Sequence, residues 1–240
     1  MDFAAVSLPS TFSKGGNTMK AKQTGFTLVE IAIVLVIIGL LLGGILKGQE
    51  MITQAKIKNS IADFSGVSAA YFSYQDRYRA IPGDDPGAAA RWTTPTAAVS
   101  GNGNRVLTGT YNAAIPASID ANTVETLLWW DHLRRSGFLS GSGVTNPINP
   151  FNGAIGVQTG DGAGGAAGVL GGFTNLIMCS SNLPDKVAIA LDVQMDDGNP
   201  ATGAVRAQLQ TAAGAPAIAT TAATAYVETG TNLYTLCRQF

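Results

Sequence analysis

This sequence predicts an α+β fold. One long N-terminal helix comes first, then an antiparallel sheet of about four strands with extra short helices. Three observations lead there. No proline occurs between Phe26 and Ala80, and apolar residues dominate or recur at helical spacing throughout that stretch. Short runs with strand character, such as Phe173–Cys179, Val205–Leu209 and Asn232–Arg238, appear only late in the chain. Between them lie stretches rich in Gly, Asn, Thr and Pro, the residues a sheet uses for its connections.

Composition narrows the function classes. The 240 residues carry a formal charge of −1, and charged residues make up 13%. That share is well below the usual ~25%, so Ser, Thr, Asn, Gly and Ala must cover much of the surface. Such a coat suits a secreted or assembled protein. The first 25 residues carry Lys14, Lys20, Lys22 and Asp2, a net +2, which leaves −3 for the remainder. Neither that charge nor any basic run predicts nucleic acid as a partner.

The helix begins with the most informative stretch. Phe26 to Leu46 is a run of 21 residues with one charge, Glu30. At ~1.5 Å per residue it measures ~31 Å, enough to cross a hydrocarbon core. A carboxylate at the centre of such a span costs ~2.5–3.5 kcal/mol, and less near an end. Glu30 is the fifth residue of a chain that begins at Phe26, within about one turn of a free α-amine.

Lys22-x-x-Gly25-Phe26-Thr27-Leu28-Val29-Glu30, followed by an apolar run, resembles the leader and start of type IV pilins and type II secretion pseudopilins. The resemblance is firm over about Lys20 to Arg79. It implies a pilin-like fold, cleavage between Gly25 and Phe26 by a membrane aspartyl prepilin peptidase, and N-methylation of Phe26. It assigns assembly to Phe26, Glu30 and Gly39, with Glu30 neutralising the N-terminal amine of a neighbouring subunit. It also implies, as partners, other copies in a helical filament and a pilus or secretion assembly platform. The chain would cross the inner membrane once, its head in the periplasm, before entering a pilus or pseudopilus at the cell surface. Family members often carry proline at the twenty-second mature position, where this chain has Lys47.

Three segments are expected. Residues 1–25 form a leader, in which translation from Met19 would leave residues 1–18 untranslated. Residues 26–80 form the long helix, with 26–46 spanning the membrane. Residues 81–240 form a globular head. The basic leader places the N-terminus inside. Past Leu46 the apolar residues become one-sided, with Ile57, Ile61, Phe64, Ser68, Tyr71, Gln75 and Tyr78 on one stripe. Gly39, Gly43, Gly44 and Gly48 serve either close packing by small residues or a segment able to unwind. Ile81-Pro82-Gly83 ends the helix.

In the head, Asp84 and Asp85 read as turn or capping carboxylates, with a cation site as the other reading. A helix is expected from Asn122 to Arg135. Its Glu125, Trp129, Trp130, His132, Leu133 and Gly137 resemble a pattern in some large Gram-negative prepilins and read as packing. His132 is the single histidine, without a nucleophile in view, and reads as structural. Gly162–Gly168 contains a GxGGxxG-like run, but no strand-to-helix context makes it a phosphate cradle. Ala154–Gln158 can form a strand, and Asp185 to about Leu191 a helix started by Asn182 and Pro184. Asp192, Asp196, Asp197 and Asn199 form either a turn bonded to backbone amides or a Ca²⁺ site, the one cofactor considered. Cys179 and Cys237 pair if their side of the membrane is oxidising, and stay as buried thiols otherwise. A disulfide there would close a ~58-residue loop and stabilise by ~4 kcal/mol.

The function expected is a filament subunit. A pseudopilin or an adhesive minor or tip pilin is the alternative within the family, and a membrane-tethered binding module that never assembles is the alternative outside it. No catalytic residue is assigned.

Overall fold

The computed structural model describes residues 25–160, 168–211, 214 and 217–240. The leader (apart from Gly25) and most of the Gly162–Gly168 run therefore lie outside the described residues. The order is α1 (Leu28–Tyr78), α2 (Ala88–Arg91), α3 (Glu125–Arg135), β1 (Ile155–Thr159), β2 (Leu176–Pro184), α4 (Asp185–Met195), β3 (Val205–Gln210) and β4 (Leu233–Gln239). The fold is α+β and pilin-like, as expected: a long N-terminal apolar helix, then a four-stranded antiparallel sheet with short helices. Two compact units divide the chain, one ending at Gly48 and the other covering Gln49–Phe240.

In the first unit α1 is apolar on all sides, and every residue from Gly25 to Lys47 is exposed. In the second unit it buries one stripe: Ile57, Ser60, Phe64, Val67, Ala70, Tyr71 and Tyr74. The expected stripe shares Ile57, Phe64 and Tyr71 with this one, but Ser68, Gln75 and Tyr78 are only half-buried. Tyr74 is the most deeply buried of them, and small Ser60 and Ala70 lie on the same stripe. The helix ends at Tyr78, two residues before Ala80, because Arg79 turns into the left-handed region (φ 56°).

The sheet order is β1-β2-β4-β3, antiparallel throughout. Against it lie α3, α4 and the second part of α1, around a core that includes Tyr74, Trp129, Trp130, Leu183, Tyr234 and Leu236. Trp129 stacks on Tyr71 with ring centroids 5.0 Å apart, and Phe240 lies 5.7 Å from Trp129. Strand β2 differs from expectation. It runs to Pro184 rather than ending at Cys179. A register shift between Ser180 and Leu183, with Asn182 at φ 57°, absorbs the turn-like Ser-Ser-Asn sequence inside the strand. Helix α4 accordingly starts after Pro184, and it continues past Leu191 to Met195. Helix α3 starts at Glu125 rather than Asn122. Asp120 and Thr123 instead bond within a tight turn, through Asn122 N–H to Asp120 Oδ1 (2.8 Å) and Asp120 N–H to Thr123 Oγ1 (3.0 Å).

The long connection from Ile81 to Val124 is fixed by buried carboxylates. Asp84 accepts the amides of Gly103 (2.6 Å), Asn104 (3.1 Å) and Arg105 (2.6 Å). Glu125 accepts the amides of Asn102 (3.0 Å) and Thr108 (2.9 Å). Asp85 accepts from the Tyr74 hydroxyl (2.6 Å), Arg91 (2.6 Å) and the Gly87 amide (2.8 Å). The turn reading of Asp84 and Asp85 thus matches their bonding, and it extends further than adjacent residues. Gly83 has φ +83°, and a Cβ there would lie 2.3 Å from the Glu125 carbonyl oxygen, so no other residue fits unstrained.

Candidate functional site

The N-terminal segment is a helix start with one carboxylate. Gly25, Phe26 and Thr27 precede the helix and are exposed, so the Gly25–Phe26 peptide bond is not held in helical geometry. Thr27 is the cap residue. Its Oγ1 accepts the Glu30 amide at 3.2 Å, while Glu30 Oε2 accepts both the Thr27 amide and the Thr27 hydroxyl at 2.8 Å. This reciprocal pairing is a capping box, which satisfies two orphan amides at once. The local consequence is that Glu30 points back toward the chain start rather than along the apolar rod. Thr27 is the residue that sequence reasoning missed. Its signal was legible as Thr-x-x-Glu ahead of an apolar run.

From Ile31 to Leu46 the rod offers apolar surface alone. Phe26 is 83% exposed and Leu28 86%. Among the described residues one helix, α1, is long and apolar enough to cross a membrane. Gly39, Gly43, Gly44 and Gly48 lie within it without interrupting the helix, and a Cβ at any of them would meet no atom of the described residues apart from the helix's own backbone.

The acidic turn after α4 brings Asp192, Asp196 and Asp197 together, with one carboxylate oxygen of each within 4.8 Å of the others. Their oxygens have local donors. Asp192 accepts from the Tyr226 hydroxyl (2.7 Å) and the Gly198 amide (3.3 Å). Asp196 accepts the Val205 amide (2.8 Å), and Asp197 accepts the Asn199 amide (2.8 Å) and the Thr202 hydroxyl (2.5 Å). Asn199 Oδ1 is taken by the Ala201 amide at 3.0 Å. Burial pushes the Asp192 carboxyl above its ordinary pKa; the Tyr226 and Gly198 bonds oppose that, and Asp197 and Asp196 add to it. This bonding is that of a turn tying α4 to β3.

Cys179 and Cys237 form a disulfide across the directly paired positions of β2 and β4. His132 is fully buried. Its Nδ1 accepts the Gly83 amide at 2.9 Å, and Nε2 faces the Val99 carbonyl at 2.8 Å, so the neutral Nε2–H tautomer satisfies both. Burial lowers its pKa, partly opposed by the Val99 bond. The Pro82-Gly83-Asp84 turn and the Trp/His helix, read separately in the sequence, are thus two sides of one contact.

Comparison with known proteins bears on the first of these places. Residues 20–46 match the family model described as the prokaryotic N-terminal methylation motif. That motif is the hallmark of type IV pilin and pseudopilin precursors, and it covers the Gly25–Phe26 junction and Glu30. No curated protein and no solved structure matches the chain.

Proposed function

We propose that this chain is a structural subunit of a type IV pilus or a related filament. Prepilin peptidase cleaves it between Gly25 and Phe26, the new Phe26 amine is methylated, and the subunit assembles through its N-terminal helix. Residues 26–46 hold it in the inner membrane first, with residues 81–240 on the periplasmic side and later at the surface of the filament. The carrying observation is the methylation motif over residues 20–46, whose apolar segment 26–46 is exposed on every side and holds one acidic group, Glu30. Bare apolar surface must be covered, first by lipid and then by copies of the same helix. Inside such a bundle a lone amine and a lone carboxylate are each costly, and together they are far less so. The capping box holds Glu30 at the end of the rod where a neighbour's Phe26 amine can reach it.

The test has two parts. Mass spectrometry of the mature N-terminus should find methyl-Phe26; an intact Met1 or Met19 would overturn the reading. Glu30→Ala should stay membrane-inserted and stop assembling, since breaking a buried ion pair costs ~3–5 kcal/mol. Unchanged assembly in that variant would instead favour a tethered binding module.

A further inference from the structure

On α1 within the second unit, two opposite charges have no partner among the described residues. Asp63 is a half-buried carboxylate without a hydrogen bond or ion pair among the described residues, and Lys58 is an exposed ammonium in the same condition. The neighbouring Lys56 is already engaged, lying over the Phe151 ring at 5.4 Å. Lys58 and Asp63 cannot meet on one helix, because residues five apart lie on different faces and only spacings of three and four bring side chains together. A carboxylate that is partly withdrawn from water and left alone is destabilising, and burial accordingly raises the pKa of Asp63.

A second copy removes the difficulty. In a filament built by one repeated screw operation, adjacent copies share one axial displacement along their whole length. If Glu30 meets the Phe26 amine of a neighbour, that neighbour's residues stand level with residues about four positions later in the first copy, a shift of ~6 Å. The same shift brings the neighbour's Lys58 within about one residue, ~1.5 Å, of the level of Asp63. A lysine stem is flexible enough to close such a gap. The sense is also the same, since in both pairs the cation comes from the copy with the lower residue number.

We propose that Lys58 of one copy and Asp63 of the next form a second ion pair between subunits, in register with the Phe26–Glu30 pair. This rests on the filament reading. The occupant of this helix face is another copy of the same chain, and the pair would fix the axial register that bare apolar surfaces leave free to slide.

The test is a charge exchange in the full-length chain, expressed in cells that assemble the wild type. Asp63→Lys and Lys58→Asp should each cut filament yield by about ten-fold while leaving membrane-inserted subunit unchanged, and the exchange carrying both should restore most of it. A second measurement covers variants that misfold. In isolated filaments, a chain carrying both Lys58→Cys and Asp63→Cys should cross-link into a ladder with a short thiol reagent, and either cysteine alone should not. Free competing thiols are absent, because the two native cysteines are joined. If wild type assembles and needs Glu30, yet both single charge variants assemble normally, the ion pair is wrong and the filament reading stands. Absence of the ladder in such filaments would also overturn the pair. If wild type does not assemble, or ignores loss of Glu30, the filament reading itself fails and takes the pair with it.

Discussion

Thr27 and Glu30 divide one task between them. Glu30 carries the charge, and Thr27 decides where it points. Removing a cap of this kind costs about 1 kcal/mol. Thr27→Val is therefore expected to fray the first turn and lower assembly several-fold, with membrane insertion unaffected, whereas Thr27→Ser should behave as wild type. Filament yield against membrane-inserted subunit measures both. His132 makes a second prediction at this scale. Its folded pKa is lowered by burial, so as pH falls through ~6.5 the unfolded chain takes up a proton that the folded one refuses. Stability contributed by the neutral ring is thus present above that pH and is lost below it. Asp85 acts in the same direction at lower pH. Burial disfavours its charge, but Arg91, Tyr74 and the Gly87 amide outweigh that and hold its pKa down. Urea denaturation should show stability falling from pH 7 to pH 5, and His132→Asn, which keeps an acceptor for the Gly83 amide without titrating, should flatten that slope.

Among the elements, those with strong periodicity were legible and those made by long-range bonds were not. The rod was readable from Phe26 onward because a proline-free apolar run has few other solutions. The four strands appeared within a few residues of their places, except where Asn182 hides a bulge inside β2. The connection from Ile81 to Val124 looked formless because its order comes from Asp84 and Glu125, whose partners lie 17 or more positions away in sequence. No local pattern encodes such a bond. At the candidate site, Gly25, Phe26 and Glu30 were readable as a motif, while Thr27 needed its capping role to be recognised. Gly83 gives the prediction here. Gly83→Ala must place a Cβ at 2.3 Å from the Glu125 carbonyl oxygen and hold φ at +83°. A loss of roughly 2–4 kcal/mol is expected, read as a lower urea midpoint with an unchanged slope.

For the whole molecule, the disulfide and the sheet order act together. Cys179 lies on β2 and Cys237 on β4, the two central strands. Reduction without unfolding should lower stability by ~4 kcal/mol in the chain-entropy model, seen as a drop in Tm that Cys179→Ala reproduces. Among the described strands β3 pairs with β4 alone, so β4 supplies its ladder of bonds. A copy cut short by a stalled ribosome before Leu233 would leave β3 with a naked edge and Cys179 with an unmatched thiol. Residues 233–239 thus carry both the ladder of β3 and the disulfide partner of Cys179, so their loss would undo both at once.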